Sequence, residues 1–188
     1  MWILQGRVET YLYRGDFEQA LGLIQEQTVP LRRSLMLQVE VMLVSFEYLR
    51  GRTLLAVAGE ADGLRRWWLL VQTRRCARRI EGVASEFLAA FAGPLRAQIA
   101  RLQGKSDEAI ELLAEAETRL GSYEIRFYAA ALRRRRGELL GGDRGRELVA
   151  EADEVIRDCG VEAPSKLARL GNASLGDAPP TPDQLEAR

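Results

Sequence analysis

The chain of 188 residues contains no histidine. The absence of histidine excludes serine–histidine and cysteine–histidine catalytic arrangements, histidine general bases and most types of zinc site. Its two cysteines, Cys76 and Cys159, lie far apart and lack a CxxC spacing, so we expect two reduced thiols in a cytosolic protein. Because no other catalytic, cofactor-binding or metal-binding motif is found, we expect neither enzyme activity nor a cofactor.

An excess of charge of one sign and a long apolar run are also missing. Lysine plus arginine number 27, as do aspartate plus glutamate, so no net field attracts nucleic acid or an anionic membrane. No apolar run reaches the ~18 residues of a membrane span, and charges follow Met1 too early for a secretory signal. These patterns predict a cytoplasmic protein without a membrane partner, and they disfavour nucleic acid as a partner.

Strand-like alternation is rare, whereas alanine, leucine, glutamate, glutamine and arginine, which favour helices, dominate the chain. Glycine and proline breaks predict about nine helices. Their approximate ranges are 2–14, 17–27, 30–50, 53–60, 64–81, 84–102, 106–120, 122–140 and 143–160. Gly93-Pro94 should kink or split the sixth helix, because an interior proline costs about 3 kcal/mol. Residues 1–160 are therefore predicted to form one all-α domain, and residues 161–188, rich in proline and glycine, a largely disordered tail.

A glycine-x4-alanine pattern recurs at the predicted helix breaks. It occurs at Gly15–Ala20, Gly51–Ala56 and Gly104–Ala109. In each case we predict that the glycine ends one helix and that the alanine lies early in the next. Antiparallel helices joined by a short turn approach most closely near that turn, where a small side chain is needed. The pattern predicts antiparallel helix pairs that stack and pack through these six residues as a right-handed solenoid.

Two stretches resemble the second-helix openings of tetratricopeptide repeats, units of about 34 residues that stack into a superhelix. They are RGDFEQAL, residues 14–21, and QGKSDEAIELL, residues 103–113. Residues 97–170 also resemble the C-terminal end of large bacterial signalling proteins, in which a serine/threonine kinase domain and an AAA-type ATPase module precede a tetratricopeptide array. The likeness is carried by RLQGKSDEAIELLAEAE, YAAALRRRRGELLGG and GRELVAEADEVIRDCGVEAPSKLARL, with Gly160, Pro164, Lys166, Ala168 and Leu170 matching the family's ending.

This resemblance implies that the chain is the C-terminal sensory or regulatory part of such a protein. It would be a non-catalytic array that binds a protein partner, an attached kinase or ATPase module, or a small effector. The chain is also similar to the helical sensor array of maltose-activator-like transcription regulators, which implies inducer binding as an alternative. A helical domain that binds nucleic acid is a third interpretation.

The most unusual surface candidate is RRWWLLVQTRRCARR, residues 65–79. The candidate interaction patch consists of Arg65, Arg66, Trp67, Trp68, Arg74 and Arg75. Arginines beside tryptophans can bind nucleic acid by stacking and phosphate contacts, or form a hot spot for a protein partner. The balanced net charge favours the protein partner. Helical spacing predicts that Leu69, Cys76 and Ile80 form the buried stripe of this helix.

Other candidate motifs are assigned structural roles. Gly104-Lys105-Ser106 mimics the end of a phosphate-binding loop, but Ile99 stands where that loop needs a glycine, and a helix rather than a strand precedes it. Glu108, Glu111 and Glu115 share one helix face and are predicted to form a solvated acidic stripe.

Four consecutive arginines, Arg133–Arg136, cannot form one patch, because successive helical residues point about 100° apart. At least one must lie near the packed face of its helix. We predict that it pairs with Glu147, Glu151 or Asp153 of the next helix.

Overall fold

A computed structural model describes residues 1–160, which form helices and short connections without a strand. The α-helices are α1 (Trp2–Arg14), α2 (Phe17–Arg33), α3 (Glu40–Glu60), α4 (Gly63–Glu81), α5 (Glu86–Ala89), α6 (Ala92–Leu102), α7 (Ser106–Gly121), α8 (Arg126–Leu140) and α9 (Gly142–Asp158). A 3-10 helix, Leu35–Gln38, joins α2 to α3, and α5 is a single turn. The all-α prediction is confirmed for this part of the chain. The predicted disordered tail, residues 161–188, lies outside the described residues.

The prediction that a helix begins at Pro30 is wrong. Pro30 lies in the last turns of α2, which continues to Arg33, and the next α-helix begins only at Glu40. An interior proline removes one backbone hydrogen bond and strains the preceding turn. The turn after it is held by Leu31, which packs against the buried cluster shared by α1, α2 and α3. Tertiary packing therefore extends the helix past a residue that normally opens one.

Gly51 was predicted to be a corner between two helices, and this prediction is also wrong. α3 runs without a break from Glu40 to Glu60, so the helices predicted at 30–50 and 53–60 are largely one. A glycine inside a helix costs only about 1 kcal/mol relative to alanine, which packing can outweigh. The side chain of Leu95 in α6 packs directly on Gly51, where an added Cβ would lie 2.7 Å from Leu95 Cδ1. The missing side chain at Gly51 thus allows α6 to pack closely against α3, and no turn forms there.

Gly15 and Gly104 do end helices as predicted. Both adopt the left-handed conformation, with φ of 82° and 78°, in the short connections that follow α1 and α6. A residue with a Cβ is strained in this conformation, which explains glycine at both positions. Ala20 and Ala109, five residues later, are fully buried.

The predicted split near Gly93-Pro94 is present. α5 ends at Ala89 and α6 begins at Ala92, which places Pro94 in the first turn of α6, where a missing N–H breaks no helical hydrogen bond. Gly93 also permits a close helix contact, because an added Cβ would lie 2.7 Å from the Cβ of Ala116 in α7.

Buried side chains of the described residues form four hydrophobic clusters arranged in chain order. The first joins α1, α2 and α3, and the second joins α2, α3, α4 and α6. The third joins α6, α7 and α8, and the fourth joins α8 and α9. The most extensive contacts are made between helices that follow one another, such as α3 with α4 and α8 with α9.

Candidate functional site

The predicted interaction residues lie on α4, which buries one face against its neighbours. Leu69, Cys76 and Ile80 are buried in the second cluster, as the helical spacing predicts. The opposite face exposes large apolar side chains at the start of the helix: Leu64 is 86% exposed, Trp67 59% and Trp68 52%. Helix α4 therefore carries an exposed apolar surface opposite its packed face.

The outward face of α4 can be defined by helical spacing. Positions 64, 67, 68, 71, 74, 75 and 78 fall within an arc of about 120°. We call these residues the α4 stripe: Leu64, Trp67, Trp68, Val71, Arg74, Arg75 and Arg78. Four residues of the predicted patch belong to it, while Arg65 and Arg66 lie off it. The prediction missed Leu64, Val71 and Arg78, which the same 3.6-residue period could have identified.

The six arginines of α4 fall into two groups. Three form ion pairs: Arg65 with Glu18, Arg66 with Asp62 and Arg79 with Glu47. The side chains of the three arginines in the α4 stripe form neither an ion pair nor a hydrogen bond with any described residue. The stripe thus combines exposed apolar side chains in its first half with arginines in its second half that pair with no residue of the described range 1–160.

A buried carboxylate lies beneath α4. Glu47 of α3 is completely buried, and its Oε1 accepts a hydrogen bond from Arg79 Nη1 at 2.5 Å. Arg50 Nη1 approaches its Oε2 at 3.7 Å. Burial, together with the charge of Glu47 and a hydrogen bond to it, raises the pKa of the Cys76 thiol well above its ordinary value. Because the reactive form of cysteine is the thiolate, this thiol is unsuited to nucleophilic catalysis.

A second feature is a row of aromatic side chains that crosses the helices. We call it the aromatic row: Tyr48, Phe87, Phe91, Tyr123, Phe127 and Tyr128. Phe91 lies at its centre, with its ring centroid 5.7 Å from that of Tyr48 in α3 and 5.3 Å from that of Tyr128 in α8. All of these rings are partly exposed, and Tyr123 and Tyr128 are each 40% exposed. No sequence pattern identified the row, because its rings come from distant segments.

An ion pair extends the aromatic row to α1. The guanidinium carbon of Arg52 lies 5.8 Å from the centroid of the Tyr48 ring. Nη1 of the same arginine lies 3.1 Å from Oε1 of Glu9 in α1. Arg52 is almost completely buried, so this cation is held between the ring and the carboxylate. Burial raises the pKa of Tyr48 to about 12, although the charge of Arg52 acts in the opposite direction. Because the ordinary pKa of 10.0 already leaves the hydroxyl neutral at physiological pH, the raised pKa matters only in alkaline solution.

The arginine run of α8 joins three helices through ion pairs. Arg134 bonds Asp153 of α9 at 2.8 Å and Arg133 Nη1 lies 3.7 Å from Glu151, so two of the three predicted acidic partners are confirmed. Glu147 instead pairs with Arg144 of its own helix. The prediction missed Glu117 of α7, which accepts hydrogen bonds from Arg133 and Arg136. The run is thus part of the packing between α7, α8 and α9.

The remaining motifs do not form a chemical site. Gly104-Lys105-Ser106 forms the turn between α6 and α7, as predicted. Within residues 1–160, no group of three or more histidine, cysteine, aspartate or glutamate side chains could hold a metal ion. None of the helices described here is both long and apolar enough to span a membrane.

No protein-family model matches the chain, and neither a curated protein nor a solved structure shows significant similarity to it.

Proposed function

We propose that this chain is a non-catalytic, tetratricopeptide-like helical solenoid that binds a protein partner. The observation that carries the proposal is the serial order of the four hydrophobic clusters. Each cluster joins helices that are close in the chain, from α1–α3 at one end to α8–α9 at the other. Stacked helix pairs bury their apolar faces in this way, since each pair contacts only its neighbours. A bundle around one centre would instead bring α1 and α9 into a common cluster.

The aromatic row supplies the binding surface in this proposal. In a stack of antiparallel pairs, α1, α3, α6 and α8 line one face, and α2, α4, α7 and α9 line the other. Most of the row and its Arg52–Glu9 extension come from α1, α3, α8 and the α5–α6 segment, and Tyr123 is added by the connection between α7 and α8. In this arrangement they lie on the first face. Aromatic side chains are enriched among the residues that dominate binding energy. A partly exposed row of rings across several helix pairs suits an extended peptide segment.

Peptide selection tests this function. A library of random 15-residue peptides would be selected against the full chain, and the affinities of selected peptides would be measured by fluorescence anisotropy. Tyr123→Ala and Tyr128→Ala should each weaken binding about tenfold, as is typical of a hot-spot residue. Trp67→Ala is the matched control, because Trp67 is an exposed aromatic residue of α4, which lies on the other face and contributes nothing to the aromatic row. Peptides that bind all three variants equally would contradict the proposal.

The resemblance to kinase–ATPase signalling proteins supports a regulatory role, and we include it in the proposal. Binding to the array would then be communicated to an attached kinase or ATPase module. Sequencing of the genomic region upstream of Met1 tests this part separately. We expect an in-frame continuation that encodes kinase and ATPase motifs. An intervening stop codon would contradict the attachment and leave the peptide-binding proposal unaffected.

A further inference from the structure

We propose that the α4 stripe is a second docking surface, and that its partner is an acidic amphipathic segment of another protein. This surface lies on α4 and shares no residue with the aromatic row, which lies on α3, α5, α8 and the connections that follow α5 and α7. The inference therefore stands independently of the proposed peptide-binding function.

The first argument is the apolar half of the stripe. Leu64, Trp67 and Trp68 are each more than half exposed, and they are neighbours at positions i, i+3 and i+4 of one helix. The packed face of α4 is already occupied by α3 and α6, so these side chains have no role in the hydrophobic core. Tryptophan is the residue type most enriched in binding hot spots, and a contiguous exposed apolar patch marks a site of interaction.

The second argument is the cationic half of the stripe. Arg74, Arg75 and Arg78 are placed within little more than one helical turn, and no described carboxylate neutralises them. All three other arginines of α4 have such a partner, which shows that carboxylates are available around this helix. A local cluster of three free guanidinium groups on a chain of zero net charge attracts a carboxylate-rich ligand at short range.

The third argument is the limited length of the positive surface. The stripe extends over about 21 Å, from Leu64 to Arg78, at 1.5 Å per residue. Carboxylates border it at both ends: Glu60 and Asp62 are exposed before α4, and Glu81 lies at its end. Asp62 and Glu81 already form ion pairs with arginines, so they are not free negative charges. Nucleic acid binding depends on neutralising a series of phosphates along a strand, whereas the arginines of the stripe occupy little more than one helical turn. A single partner helix of about four turns matches the stripe in length.

The expected partner has apolar side chains in one half and aspartate or glutamate in the other. Its apolar half would cover Trp67 and Trp68, and its carboxylates would form bidentate pairs with the free guanidinium groups. The apolar contact supplies affinity, while the charge contact sets the orientation of the segment on α4.

The experiment uses the full chain and a fluorescein-labelled 16-residue helical peptide. This probe carries leucines on one face of its first two turns and glutamates on the same face of its last two turns. A second peptide replaces every glutamate with lysine. Anisotropy titrations should show salt-sensitive binding of the acidic probe and at least tenfold weaker binding of the lysine probe. Absence of binding by the acidic probe, or equal binding of the two probes, would overturn the proposal.

Two independent double variants locate the site. Trp67→Ala with Trp68→Ala and, separately, Arg74→Glu with Arg75→Glu should each weaken binding of the acidic probe at least tenfold. The matched controls are Trp2→Ala, an exposed tryptophan of α1, and Arg32→Glu with Arg33→Glu, exposed arginines at the end of α2. Both controls should leave the affinity unchanged. Losses of equal size in the controls would mean nonspecific attraction and would overturn the assignment.

Parallel titrations distinguish other classes of ligand. A 20-nucleotide single-stranded DNA, a 20-nucleotide RNA and vesicles of phosphatidylserine and phosphatidylcholine serve as probes at the same salt concentration. We expect each to bind at least tenfold more weakly than the acidic peptide. Tighter binding of any of them, lost in the Arg74→Glu and Arg75→Glu variant, would replace the peptide with that ligand and overturn the proposal. A negative result for the α4 stripe does not change the outcome of the peptide selection that tests the aromatic row. The two proposals are therefore tested separately.

Discussion

Tyr48 combines an aromatic contact, a contact with a cation and a hydroxyl of raised pKa in one partly buried side chain. Its ring meets Phe91 edge to face and lies beneath the guanidinium of Arg52. Burial makes ionisation of the hydroxyl unfavourable and raises its pKa from 10.0 to about 12. The folded protein therefore holds this proton more tightly than the unfolded chain does, which links the aromatic row to the pH dependence of folding.

The raised pKa of Tyr48 contributes to the stability of the folded protein, and we expect this contribution to be lost at high pH. It is fully present below pH 10.0 and is lost as the pH rises from 10.0 towards about 12, because only the unfolded chain readily releases the proton. Tyr48→Phe has no proton to release. The difference in unfolding free energy between wild type and variant should therefore fall as the pH rises from 10.0 to about 12. Urea denaturation at a series of pH values measures it, and parallel pH profiles would contradict the assigned pKa.

Helices α8 and α9 approach each other through glycine. An added Cβ at Gly137 would lie 2.6 Å from the carbonyl oxygen of Gly145 and 3.0 Å from Leu148 Cβ. Because a backbone oxygen and a Cβ cannot yield as a flexible side chain can, a methyl group at this position must push α9 away from α8. At Gly145, likewise, an added Cβ would lie even closer to the carbonyl oxygen of Gly137, so the close contact between these two helices depends on two facing glycines.

Gly137→Ala should destabilise the fold by about 1–3 kcal/mol through overpacking. The control is Gly22→Ala in α2, where an added Cβ meets nothing within 4 Å. That substitution should stabilise the protein by about 0.5–1 kcal/mol, since alanine is the better helix former. Thermal and urea unfolding would measure both changes. Stabilisation by Gly137→Ala would show that the helices are not in close contact at this point.

At the scale of the whole molecule, the serial clusters imply that stability is local. Ile24 is buried in the cluster of α1, α2 and α3, and Ile156 in the cluster of α8 and α9. The two clusters share no residue and are separated by the clusters around α4 and α6. A cavity at one end should therefore weaken that end without being felt directly at the other.

Hydrogen exchange on Ile24→Ala and Ile156→Ala tests this expectation. Each substitution removes buried methyl groups and should cost about 2–5 kcal/mol locally. Ile156→Ala should accelerate amide exchange in α8 and α9 and leave α1 and α2 protected, and Ile24→Ala should do the reverse. Mass spectrometry of peptic fragments resolves the two ends. Uniform acceleration along the chain would indicate a single cooperative core and would contradict the proposed solenoid.

The local features of this protein were determined by its sequence. The bounds of α1 follow from its composition and from Gly15, whose left-handed conformation is a property of one residue. The buried face of α4 follows from the 3.6-residue spacing of Leu69, Cys76 and Ile80. These predictions succeed because helix propensity, capping and periodicity depend on residues within one or two turns of each other.

Contacts between distant segments were decided only by the tertiary structure. Gly15 and Gly51 precede alanine at the same spacing, yet one ends a helix and the other lies inside α3 beneath Leu95. The aromatic row likewise joins rings that are more than thirty positions apart, such as Tyr48, Phe91 and Tyr128. The sequence next to a glycine does not show whether that glycine ends a helix or lies inside one. In the same way, the sequence next to an aromatic residue does not show which distant ring it contacts. The role of each such residue is set by which helix packs against it, and that depends on interactions across the whole chain.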